Sequence, residues 1–253
     1  MTTRVTSLLN ARSVLWLAFF AAIVLAWAVM YMMAIMSGLD LIGRPVGENM
    51  MPMVTFGVLF PMWAIMMAAM MLPTLVPTLR SYEDLMVSAN GTRAGWTGVL
   101  LGYFIVWVGF AALISVVQVG LIAAGAIDAL GIAHSALLAG ALLIAVGAYQ
   151  FTRAKEICHG VCHSPMMYFV GHWRTGFGGG LRMGLGLGAF CVGCCWGFMA
   201  LGFVGGVMSL LWMGLATVFM ILEKVPSIGH VITKPAGVVL IAAGIVLPVW
   251  AYL

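Results

Sequence analysis

Cys191, Cys194 and Cys195 fall together in one apolar run, CVGCCWGFMALGFVGGVMSLLWM. On an α-helix, residues four apart share a face, so Cys191 and Cys195 stack and Cys194 lies beside them. Soft sulfur ligands in a segment apolar enough for a bilayer interior suit a thiophilic metal or thiol redox chemistry. One buried cysteine ordinarily packs as a small hydrophobe, but a cluster with a second cysteine pair upstream calls for more. That pair is Cys158 and Cys162, interleaved with His159 and His163. Both pairs are spaced by four, which on a helical turn sets the histidines beside the cysteines, a donor set suited to zinc or copper. Three residues between the cysteines exclude the Cys-x-x-Cys redox motif and the Cys-x-x-Cys-His haem attachment site.

Methionine is the second signal, with 21 in the chain. Met62, Met66 and Met70 lie on one helical face and Met67 and Met71 adjoin it. Thioethers select Cu(I) over harder cations, whereas methionine stripes alone are ordinary core filler. The candidate metal ligands are therefore Cys191, Cys194, Cys195, Cys158, Cys162, His159, His163, Met66, Met67, Met70 and Met71. Cu(I) is the preferred ion and zinc the lesser alternative. The other histidines stand apart: His172 later in the same hydrophilic stretch, His134 and His230 elsewhere.

The elements that must hold these residues are membrane helices. The chain has 253 residues, 64% hydrophobic and 7% charged, where soluble domains carry about 25% charged residues. Unbroken apolar runs exclude the alternating pattern of a membrane barrel and leave helices as the only spanning element. The expected fold is an all-α polytopic transmembrane helix bundle forming a single domain over residues 1–253. About seven spans are expected, at 14–36, 54–79, 96–125, 133–152, 181–203, 206–222 and 235–252, or six if the short sixth segment is re-entrant. The first span reads as a retained anchor, because its apolar stretch is too long for a signal peptide.

With the N-terminus in the cytoplasm, ten basic residues from Arg4 to Lys234 fall inside and Arg44 alone falls outside, as the positive-inside rule requires. Residues 153–180 then form a cytoplasmic loop carrying Cys158, His159, Cys162 and His163, on the side where thiols stay reduced. Glu223 and Lys224 read as a solvated anchor pair at the end of the sixth span; drawn inward, Glu223 would become a functional suspect. Pro61, Pro73 and Pro77 interrupt the second span's hydrogen bonding. Glycines from Gly184 to Gly206 give the fifth span small-residue ridges for close packing. The net charge of +4 is this topological bias and points to no nucleic acid. No phosphate loop, catalytic triad or paired carboxylate indicates an enzyme.

The stretches Met66–Pro73, Gly147–Gln150, Lys155-x-x-Cys158-x-x-x-Cys162-x-Ser164-Pro165, Cys191-x-x-Cys194-Cys195-Trp196, Gly206–Met213 and Glu223-Lys224 together resemble a bacterial family of integral membrane proteins known as domain of unknown function 2182. The resemblance runs from about residue 60 to 230 and implies metal binding in the bacterial inner membrane, without an activity. Members of that family often carry a histidine and a tyrosine ahead of the cysteine cluster. Here the stretch is Gly184–Phe190, so sulfur from the second helix would have to complete a site in the fifth.

The leading functional reading is thus an inner-membrane protein that binds a soft metal for delivery, for transport, or in support of a metal-containing membrane complex. A membrane thiol oxidoreductase is the alternative, weakened by the strain of a disulfide between adjacent Cys194 and Cys195. A non-catalytic accessory subunit packing against membrane-protein partners or a second copy is the third. No ATP-using element accompanies them.

Overall fold

A computed structural model describes residues 2–46, 54–225 and 227–251, apart from the side chains of residues 2–10 and of His230. Among the described residues the chain forms ten helices and no strand. They are α1 (Thr2–Met36), α2 (Phe56–Ser88), α3 (Arg93–Ala123), α4 (Ala136–Tyr149), α5 (Arg153–His163), α6 (Pro165–His172), α7 (Gly176–Ala200), α8 (Gly202–Gly205), α9 (Leu210–Glu223) and α10 (Gly229–Ala251). The all-helical architecture is the one that the composition demands.

Five segments are long and apolar enough to cross a membrane: Ala11–Met36, Phe56–Ser88, Arg93–Ala123, Gly176–Gly205 and Val231–Ala251. A sixth arises if α4 and α5, bent by 64° at their junction, count as one broken span. The count of seven treated α4 and α9 as full spans. Each has 14 residues, about 21 Å of helix against a hydrocarbon core of about 30 Å. Hydropathy records apolar length but not a bend or an early stop, which is why the two segments looked complete.

Helix α7 packs most extensively against α3, α10 lies along α4, and α2 sits between α1 and α3. The α3–α7 contact depends on glycine. A side-chain carbon at Gly180 would collide with the Gly95 carbonyl, and one at Gly184 with the Val99 carbonyl. The glycine ridge expected in the fifth span thus serves close helix approach, with α3 as its partner. Pro61, Pro73 and Pro77 lie inside α2 without ending it.

Two ends of the bundle can be told apart. At one, Arg12 pairs with Glu83 at 2.9 Å, the Tyr82 hydroxyl donates to Thr92 O at 3.2 Å, and Trp173 Nε1 donates to Ala89 O at 2.7 Å. At the other, Leu211 N donates to Leu41 O and Ala133 N to Phe203 O, each at 3.0 Å. Both short helices, α4 and α9, start from this second end, near Asp128, and stop inside the bundle.

Residues 153–180 are not a loop. They form α5, α6 and the first turn of α7, folded back along α7: Lys155 meets Cys194, Cys158 meets Gly193 and Tyr168 meets Met183. The polar residues made the stretch look solvated, yet Lys155, His159, Cys162 and His163 all turn inward and are buried.

Candidate metal centre

Helix α7 supplies two of the three central sulfurs because its glycines bring it close to its neighbours. Cys191, Cys194 and Cys195 are all buried, and Cys194 Sγ lies 3.2 Å from Cys195 Sγ. Helix α5 supplies the third. Gly193 leaves the space that Cys158 fills, since a side-chain carbon there would stand 2.6 Å from Cys158 Sγ. One turn further along α5, Cys162 Sγ reaches to 3.6 Å from Cys194 Sγ. The sulfurs of Cys162, Cys191 and Cys194 all lie within 4.8 Å of one another, and all five cysteines are free thiols. Three sulfurs around an ion at about 2.3 Å each stand about 4 Å apart, so the donor set fits a trigonal thiolate site. Zinc would want a fourth ligand; three soft sulfurs suit Cu(I).

A polar shell surrounds the thiols. Cys191 Sγ lies 2.9 Å from the Tyr103 hydroxyl and 3.2 Å from Lys224 Nζ. The same ammonium donates to Thr74 Oγ1 at 2.8 Å, and Thr74 Oγ1 stands 3.2 Å from the Tyr103 hydroxyl. Helices α2, α3, α7 and α9 therefore meet at Cys191. On the α5 side, Lys155 Nζ donates to Cys194 O at 2.7 Å and pairs with Glu223 at 2.8 Å, both side chains being 1% exposed. Glu223 also accepts from Thr233 Oγ1 at 3.0 Å, and His159 Nε2 donates to Glu223 O at 2.8 Å.

Glu223 and Lys224 are thus no solvated anchor. Helix α9 stops early and leaves both in the interior, where each meets a partner that offsets its desolvation. Lys155 and Lys224 likewise leave the tally of basic residues at the membrane surface, because they face the thiols. The sequence set them at the surface because an apolar run does not show where its helix ends relative to the neighbouring helices. The available signal was the shortness of the sixth segment, whose helix α9 has 14 residues.

The site is deep. Tyr103 lies about 15 Å of helix from Arg93, and Cys191 about 22 Å from Gly176. The carboxyl ends of α4 and α9 both point toward this level: Tyr149 donates its hydroxyl to Gly193 O at 2.6 Å, and Lys224 caps α9. Helix carboxyl ends carry partial negative charge and favour a cation.

The remaining sequence candidates divide. Cys195 adjoins Cys194 but lies outside the three-sulfur group. Cys158 is half-buried against Gly193. The rings of His159 and His163 lie 4.9 Å apart between centroids, tilted by 51°, with His159 turned to Glu223 and His163 set near Gly229. Met66, Met67, Met70 and Met71 are buried in the same core as the thiols, and Met70 lies one helical turn before Thr74.

No curated protein and no solved structure matches the chain. A family model does, and the stretch it covers contains every residue of the centre just described, from the α2 methionines to Lys224. The match extends over residues 60–247 to the family described as PpoB2, copper chaperone, and the chain belongs to that family.

Proposed function

We propose that this protein is a membrane-embedded copper chaperone that holds Cu(I) on Cys162, Cys191 and Cys194 and hands it on by ligand exchange. The observation that carries this reading is the convergence of three buried thiols from α5 and α7 beside the Lys224 ammonium. Thiolates are the binding form, and burial away from water makes each one costly unless a cation faces it. Lys224 supplies that cation at Cys191, and the ion supplies the rest when it arrives. Tyr103 and Thr74 hold the Lys224 side chain in place. Lys155 fixes the Cys194 backbone, while Glu223 and Thr233 hold Lys155. Cys195 is a reserve thiol for exchange, 3.2 Å from Cys194.

The apolar helices support placement in a lipid bilayer, and the basic residues at the Arg93 end support a cytoplasmic face there in a bacterial inner membrane. Delivery to a partner fits a chain with no ATP-using element. The test is copper content of the full-length protein purified in detergent, with thiols titrated in parallel. Wild-type protein should retain Cu(I) against a competing chelator. Cys162→Ser and Cys194→Ser should each weaken retention by at least about tenfold, about 1.4 kcal/mol, with helical content unchanged. Full copper retention in the double variant would end the reading. A reversible loss of two thiols without copper would favour the oxidoreductase instead.

A further inference from the structure

At the end of the bundle near Asp128, a cavity of about 70 Å³ opens between α1, α2, α3 and the turn before α9. Three methionines from three separate elements line it: Met33 of α1, Met62 of α2 and Met208 of the turn. A water occupies about 30 Å³ of liquid, so the space admits a bare ion. Among the described residues the lining has no carboxylate, imidazole or thiol. Its main polar group is Gln118, whose Oε1 already accepts from Trp63 Nε1 at 2.6 Å. A hard cation would find no anionic ligand among the described lining residues, whereas thioethers are soft donors that favour Cu(I).

The cavity is also aligned with the thiol centre. Met62, Met66, Met70 and Thr74 succeed one another at intervals of four along one face of α2, and all four are buried. This row covers about 18 Å and ends at Thr74, which holds the Lys224 ammonium beside Cys191. Core packing alone requires apolar side chains there; it does not require sulfur at each step, nor two further methionines from other elements at its far end.

We propose that the Met33–Met62–Met208 cavity is a second, weaker Cu(I) site, and that the Met62–Met66–Met70 face is the route between it and the thiols. Cargo passes between the Asp128 end of the bundle and the deep centre by exchange from thioether to thioether, with no change in oxidation state. The assignment of a route rests on the thiol centre being a copper site; the thioether site itself does not.

Cu(I) titration of full-length protein in detergent, against a competing chelator, separates the two. A variant with Cys162, Cys191, Cys194 and Cys195 replaced by serine should lose tight binding and keep a weaker ion. Adding Met33→Leu, Met62→Leu and Met208→Leu, which conserve volume closely, should weaken that ion at least tenfold. Zn(II) should show no such ion. Selenomethionine-labelled protein with all its thiols gives a second measurement independent of folding in the variants. Copper–selenium scattering should appear once the thiols are filled and vanish in the three-leucine variant. Absence of that scattering at every loading, or an unchanged weak ion in the leucine variant, would overturn the thioether site. If serine substitution leaves tight binding intact while the leucine effect holds, the thiol reading fails and the thioether site stands.

Discussion

Glu223→Gln should destabilise the protein far more than loss of a surface charge would. At 2.8 Å and an effective dielectric constant of about 20, the gross attraction between Lys155 and Glu223 is about 6 kcal/mol. Most of this offsets the desolvation of two groups that are each 1% exposed. The substitution removes the carboxylate charge but leaves the Lys155 ammonium in the same dry surroundings, facing only neutral acceptors, the new amide oxygen and Cys194 O. Breaking one side of a buried pair costs about 3–5 kcal/mol, whereas an exposed pair contributes about 0–1 kcal/mol. Equilibrium unfolding in mixed micelles measures the difference, with Arg12→Gln, whose side chain is 57% exposed, as the control. The double variant Lys155→Met, Glu223→Gln should recover much of the loss, because it removes the stranded charge with its partner. Copper retention should also fall in Glu223→Gln, since Lys155 orients the Cys194 backbone. A cost below about 1 kcal/mol, or no recovery in the double variant, would refute a dry, mutually dependent pair.

Accessibility should divide the cysteines. A water-soluble maleimide should label Cys158 ahead of the others, while Cys162, Cys191, Cys194 and Cys195 stay slow because their burial keeps the reagent out; rapid labelling of Cys162 by mass spectrometry would contradict its place in the interior. Lys224→Met should weaken Cu(I) retention more than Lys224→Arg, measured by chelator competition, because the methionine side chain leaves the Cys191 thiolate without its cation; equal effects would deny an electrostatic role. Gly98→Val should separate α3 from α7, since a side-chain carbon at Gly98 meets the Phe177 carbonyl, and a loss of at least about 1 kcal/mol is expected from such overpacking. A reporter active only in the cytoplasm should give signal when fused near Ala94 and none near Gly43; the reverse pattern would invert the proposed orientation.

The sequence by itself determined the material of this protein. Its charge content and long apolar runs lead to helices long and apolar enough to cross a membrane, and the spacing of Cys191, Cys194 and Cys195 sets a thiol cluster on one helix. The glycine ridge of α7 was legible because close packing needs a periodic absence of side chains, and periodicity is a local property. The donor chemistry likewise pointed to a soft metal before any geometry was known.

Only the tertiary structure decided how the centre is assembled. Cys162 joins Cys194 because α5 folds back along α7, a long-range packing choice that leaves no local trace in a stretch rich in Arg, Lys and His. Glu223, Lys224 and Lys155 looked like interfacial charges. Whether a charged residue meets water or a partner depends on where its helix stops relative to the neighbours, and α4 and α9 both stop in the interior. Tyr103 and Thr74 carried no signal at all, being ordinary residues on apolar helices until the bundle closes around Cys191. Local patterns fix helices and their chemistry; the ends of helices, and the charges that those ends bury, are fixed by what packs against them.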